Sequence, residues 1–149
     1  MAAGISTYKT YFMEGTGTAG SLTYAKIVDI VSFPDLQPAP ETIDTTSLSD
    51  PMRTYIPGIK DPGGNMTFGL NYTVENYTAI QALDDGNVHH LAVWFGATGE
   101  GSSATPTGSD GKFTFDGYVK AQLTGGGVNE KISMNAIVTP TTEVTWSAT

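Results

Sequence analysis

The chain has 149 residues, with 15 acidic against 7 basic ones for a net charge of −8, and no cysteine. The length suits one domain, and the missing cysteines remove disulfides, thiol nucleophiles and Cys-held zinc. Scattered positive charge, with Arg53 the single arginine, excludes a surface that grips nucleic acid through its phosphates.

In chain order, residues 1–20 are small and polar around Tyr11-Phe12-Met13 and read as an N-terminal arm carrying one short strand. No basic segment leads into an apolar core there, and no run approaches the roughly 18 apolar residues of a membrane span. A cytoplasmic origin and no membrane partner are therefore expected. Leu22 to Phe33 is rich in β-branched and aromatic residues and predicts a strand, which Pro34, Pro38 and Pro40 end. A short strand over Glu41 to Thr46 follows.

Residues 47–64 hold Pro51, Pro57 and Pro62 with three glycines, which excludes a helix or a central strand. The segment reads as a long loop, yet it carries Met52, Tyr55, Ile56 and Ile59. These side chains need cover, either from the chain's own core or from another molecule.

Asn65 to Tyr72 alternates, with Met66, Phe68, Leu70 and Tyr72 sharing one face, as a half-buried strand does. A helix follows, with Thr73 as its N-cap, Glu75 in the first turn and Gly86 as the left-handed stop. Its apolar stripe is Val74, Tyr77, Ile80 and Leu83. Asp84 and Asp85 sit where the helix dipole disfavours them, so a basic partner is expected nearby. Val88 to Phe95 is almost wholly apolar, as in a strand covered on both faces. Residues 96–111 read as a flexible Gly/Ser loop. Strands over Lys112 to Leu123 and Glu130 to Thr139 form a hairpin around Gly125-Gly126-Gly127, and Thr142 to Ser147 makes a last strand.

The motifs of chemistry are missing. His89 and His90 are adjacent and point to opposite faces of a strand, so they cannot share one metal without a bend. No serine stands in a G-x-S-x-G elbow, and no glycine-rich stretch ends in the G-K-[ST] that cradles phosphate. The expectation is a protein that is not an enzyme and takes no cofactor and no metal.

The stretch from Ile43 to Tyr72 resembles the central signature of siphophage major tail proteins, the tail tube proteins. Its pieces are a D-x-T step at Asp44 to Thr46, a turn with Leu48, an R-x-Y-I-P-G-I-x-D segment from Arg53 to Asp61, and the strand Met66 to Tyr72. The resemblance implies a two-sheet antiparallel β-sandwich flanked by one α-helix, related in fold to type VI secretion tube proteins. It implies hexameric rings stacked into a tube with a β-barrel lumen, and an inter-ring contact loop holding Met52, Arg53, Tyr55, Ile56 and Ile59. Tape measure, tail terminator and tail tip proteins would be partners, in a virion tail assembled in the host cytoplasm.

Strand parity within that arrangement sends Asp44, Thr67, Asn71, Thr114, Asp116, Ser133 and Asn135 to the lumen, and Thr42, Thr46, Asn65, Gly69, Tyr118 and Lys120 share their parity. Such a wall is polar and weakly acidic, so DNA would pass through without being bound. Two other readings remain open: a tube subunit of the type VI or pyocin kind, and an Ig-like module for cell-surface carbohydrate.

Overall fold

A computed structural model describes residues 8–18, 20–59 and 64–148. Its strands are β1 (Thr10–Thr16), β2 (Thr23–Val28), β3 (Thr42–Asp44), β4 (Tyr55–Pro57), β5 (Met66–Asn71), β6 (His89–Thr98), β7 (Thr105–Leu123), β8 (Ser133–Pro140) and β9 (Thr145–Ser147). One α-helix, α1 (Val74–Leu83), lies between β5 and β6. The mainly β, antiparallel, one-helix character implied by the resemblance is present.

Seven strands form one antiparallel sheet in the order β2-β1-β6-β7-β8-β5, with β9 beside β7. The pair β3-β4 is a separate two-stranded ribbon. β8 pairs with Gly117 to Leu123 of β7, and β9 pairs with Lys112 to Thr114. β9 therefore continues β8 after a break, which Asp116 holds: its carbonyl accepts from Thr141 N at 2.8 Å and its N–H donates to Thr142 Oγ1 at 2.9 Å.

The sheet is folded over on itself. Val31 N donates to Gly69 O at 2.7 Å and Gly69 N donates to Ser32 O at 3.1 Å, so the chain leaving β2 meets the far edge of β5. Gly69 permits this approach, because a Cβ there would fall on the Ser32 hydroxyl. Phe12 of β1 stacks on Phe68 of β5 with centroids 4.4 Å apart, and Phe68 stacks in turn near Phe115. The layered packing expected of two sheets thus arises within one continuous sheet. Met66, Leu70, Leu91, Val93, Met134 and Val138 complete the core between the layers.

Helix α1 begins where expected. Thr73 is its N-cap, and its side chain accepts from Asn76 N at 3.0 Å. Ile80 and Leu83 are buried, while Val74 is 73% exposed. Apolar residues at every third position drift by about 60° per step around a helix, which carries Val74 off the core-facing side. Beyond the helix Gly86 has φ +79°, the left-handed turn expected of it. The two acids at this end have basic partners: Lys120 Nζ reaches Asp84 at 3.1 Å and His89 Nε2 reaches Asp85 at 3.0 Å.

Two segments differ from expectation. The short strand expected near Tyr11 is β1, but it lies inside the sheet with Tyr11, Phe12 and Met13 buried, so residues 8–18 do not form an arm; residues 1–7 and 19 lie outside the described residues. Both faces of β1 are covered, so its apolar triplet does not alternate. Residues 96–111 are largely strand, with Ala97 opposite Pro106 and Thr98 opposite Thr105 beyond a register shift near Gly96. Positive φ at Gly96, Gly108 and Gly111 lets glycine-rich backbone remain in a hairpin, where Ala97 and Ala104 pack on buried Tyr11, Met13 and Ala92. Val88 to Phe95 behaves as predicted: Leu91, Ala92 and Val93 are all fully buried.

Candidate assembly interface

The ribbon β3-β4 stands apart as an arm. Thr42 pairs with Pro57, Ile43 with Ile56 and Asp44 with Tyr55. Prolines at 51 and 57 and the short length of each strand keep it from joining the large sheet. The side chains that needed cover find none in their own core: Leu48 and Ile59 are essentially fully exposed, Met52 is 72% exposed, and Ile43, Tyr55 and Ile56 are about half exposed. Apolar surface gathered this way marks a contact with another molecule.

Polar bonds, not a core, shape the arm. Arg53 Nη1 donates to Asp44 Oδ2 at 3.0 Å, while Asp44 Oδ1 accepts from Thr46 N at 2.9 Å. Thr45 N donates to Thr54 O at 2.9 Å, and Thr54 N donates to Thr46 Oγ1 at 2.8 Å. At the tip Ser47 N donates to Asp50 Oδ2 at 2.7 Å, and at the root Gly58 N donates to Glu41 O at 2.6 Å. The bonds from Thr46, joined by that from Arg53, hold the Asp44 carboxyl below its ordinary range. The arm is therefore built before any partner arrives.

The second surface is the sheet face turned away from the core. Register places Asn71 opposite Ser133 and Gly69 opposite Asn135, with Gln122 of β7 across from Asn135. Thr67 lies on the same side of β5, and Thr114 and Asp116 share that side of β7. Six of the seven residues sent to the lumen by parity thus share one sheet face. Asp44 does not: it belongs to the arm, bonded to Arg53, because the sequence pattern cannot show that β3 leaves the main sheet. A shallow groove here is lined by Asn71, Ser133 and Asn135 together with Lys131.

Asp116 is not an isolated charge. His90, its cross-strand partner, brings Nδ1 to within 2.8 Å of Asp116 Oδ1. His89 takes different partners, Glu14 at 3.1 Å and Asp85 at 3.0 Å, as expected of neighbours pointing to opposite faces. Burial pushes the Tyr24 hydroxyl up, and the charge of Asp116 adds to this. Among the described residues no three His, Asp or Glu side chains group to hold a metal ion.

Parity alone missed an apolar region on this face. Tyr11, Met13 and Ala92 are buried there, with Tyr24 and Trp94 packed on them. Lys112 lies over the Trp94 ring at 4.1 Å and Lys26 over the Tyr11 ring at 5.8 Å. The signal lay in β1 and β6, whose apolar residues occupy both parities.

Comparison with known proteins agrees with this geometry. The profile of a family described as phage tail tube, TTP, lambda-like matches residues 7–149. Among solved structures, a chain in a cryo-EM structure of the anti-feeding prophage (AFP) baseplate, six-fold symmetrised, superposes with a TM-score of 0.56. That match has 6% sequence identity and covers 99% of this chain and 97% of the other, so the likeness is one of fold. No curated protein matches by sequence.

Proposed function

The chain belongs to the lambda-like phage tail tube family and is a structural subunit of a phage tail tube, and we propose that it stacks as hexameric rings around a DNA channel. As a tail tube protein it is a component of the virion tail and works within a multi-subunit assembly. The observation that carries the finer reading is the arm: six large apolar side chains stand exposed on a ribbon already held in shape by its own polar bonds. Each such side chain stabilises a contact by roughly 1.5–3 kcal/mol when buried, which suits a joint between rings.

In this reading the tube is that of a long, non-contractile tail and the DNA leaves through it. Thr67, Asn71, Thr114, Asp116, Ser133 and Asn135 line the lumen. These six side chains are neutral hydroxyls and amides around a single carboxylate, while lysines of the same face lie over the Tyr11 and Trp94 rings or beside Asn71; in this reading few cations meet the phosphates and DNA passes without specific binding. The ends of the tube would meet tape measure, terminator and tip proteins, and assembly would take place in the host cytoplasm. The chain's work is mechanical and no chemistry is assigned to it.

Electron microscopy of the purified protein tests the reading, alongside a variant lacking Met52 to Ile59. Wild-type protein should form six-fold tubes, and the shortened chain should stay folded by circular dichroism without polymerising. Normal tubes from the shortened chain would remove the arm from the joint.

A further inference from the structure

The seven-stranded sheet ends at β2 on one side and at β5 on the other, and the two edges are not equally free. Along an antiparallel strand the backbone of every second residue faces the same neighbour. Gly69 turns its N–H and carbonyl away from β8, so Thr67 and Asn71 present theirs on that outer side too. The outer edge is covered at one point. Val31 N and Ser32 N donate to Gly69 O at 2.7 and 3.4 Å, and Gly69 N donates to Ser32 O at 3.1 Å. Beside them Asn71 O accepts from Asn76 Nδ2 at 2.9 Å. Among the described residues no other segment pairs with this edge.

The cover is slight. Ser32 and Gly69 form one isolated bridge, and residues 29–32 belong to no strand. Val31 is 59% exposed, and Ile30 and Phe33 on either side touch the core while only partly buried. Pro34 has no N–H with which to lengthen the ladder. Gly69 itself stands in mid-strand between Phe68 and Leu70, where a glycine weakens pairing and marks a close approach of another backbone. Ser32 is that approach, since its hydroxyl lies where a Cβ would be.

An open strand edge pairs with another chain, and folded proteins cover such edges. β2 and β5 are both six residues long, and the outer side of β2 pairs with no described strand. Joining β2 of one copy to β5 of the next pairs unlike edges, a contact that repeats from copy to copy and closes into a ring where the rotation allows. It supplies partners to Thr67 as well as Gly69, whereas Val31 and Ser32 reach Gly69 alone.

We propose that Val31 and Ser32 form a latch over the outer edge of β5, which keeps the free subunit from pairing and gives way when β2 of a second copy takes that edge. The proposal rests on the ring reading and adds the step that admits a subunit to the ring. A Cβ at Gly69 would stand 3.6 Å from that of Ser32, within the span of a disulfide, and the chain has no cysteine to compete. In Ser32→Cys/Gly69→Cys the hydroxyl in the way of the new Cβ is itself replaced. Oxidised, this variant should stay a folded monomer by thermal melt and sedimentation. Reduced with a thiol, it should form rings and tubes by electron microscopy. A second variant acts in the other direction. Val31→Pro removes the shortest bond of the latch and should lower the concentration needed for assembly roughly two- to tenfold, the weight of one backbone hydrogen bond.

Equal assembly of the oxidised and reduced forms would overturn the latch. So would failure of the disulfide to close under oxidant, because the two residues would then not meet in the free subunit. An unchanged threshold in Val31→Pro would overturn it as well, and decides the matter if the cysteine variant does not fold. No assembly by wild-type protein and the reduced variant alike would instead sink the ring reading and the latch with it, which separates the two failures.

Discussion

Asp44 and Arg53 meet at 3.0 Å across the arm, on either side of the turn that carries Leu48 and Met52. Both are largely exposed, so the pair adds little to global stability. Its effect is local: it joins the end of β3 to the segment entering β4, where the described arm has no core to do so.

The Asp44 carboxyl is held below its ordinary value of 3.8, first by Thr46 and then by Arg53. A depressed folded value means that the bonds are intact above the ordinary carboxylate range and are lost as pH falls through the lowered value. Acidification below about pH 4 should loosen the arm, read as faster exchange at the Thr46 amide, and raise the concentration needed for tubes. Asp44→Asn should show both changes at neutral pH and lose most of the acid response. An acid response in Asp44→Asn equal to wild type would place its origin elsewhere.

Phe68 is fully buried between the Phe12 and Phe115 rings, where the folded-over sheet meets itself. Phe68→Ala should cost about 3–5 kcal/mol in denaturant unfolding, through lost transfer energy and the cavity left behind. A loss under 1 kcal/mol would mean that the two layers close over the gap.

Gly69 faces the Ser32 hydroxyl so closely that a Cβ cannot enter without moving it. Gly69→Ala should force the Ser32 hydroxyl to another rotamer and loosen the chain after β2 against β5. Hydrogen exchange at Val31 should then quicken, while the β6-β7 pairing, remote from the substitution, should keep its protection. Unchanged protection at Val31 would show that the strand edge shifts without parting.

Asp116 lies on the face assigned to the lumen, hydrogen-bonded to His90. Asp116→Lys should fold and polymerise, because the position is only half-buried, but it repeats a cation around every ring of the tube. DNA ejection from mutant virions should slow, most at low salt, where screening is weakest. Ejection at the wild-type rate across a salt series would take Asp116 off the channel wall.

Local pattern was enough wherever one face of an element is buried and the other wet. It placed β5 through Met66, Phe68 and Leu70, started α1 at Thr73, and marked Met52, Tyr55, Ile56 and Ile59 as apolar side chains in need of a partner. The charge balance, the missing cysteines and the Ile43 to Tyr72 signature were likewise legible without coordinates. Tertiary structure alone decided the rest. β1 is covered on both faces and so carries no alternation, and the hairpin through Ala97 and Pro106 is held by backbone pairing, with only the small Ala97 and Ala104 packed on buried neighbours. Asp44 has the parity of a wall residue, yet β3 pairs only with β4 and carries it onto the arm. The joining of Ser32 to Gly69 depends on register between segments far apart in sequence. Hydrogen-bond register is a property of paired strands, and no single strand encodes it.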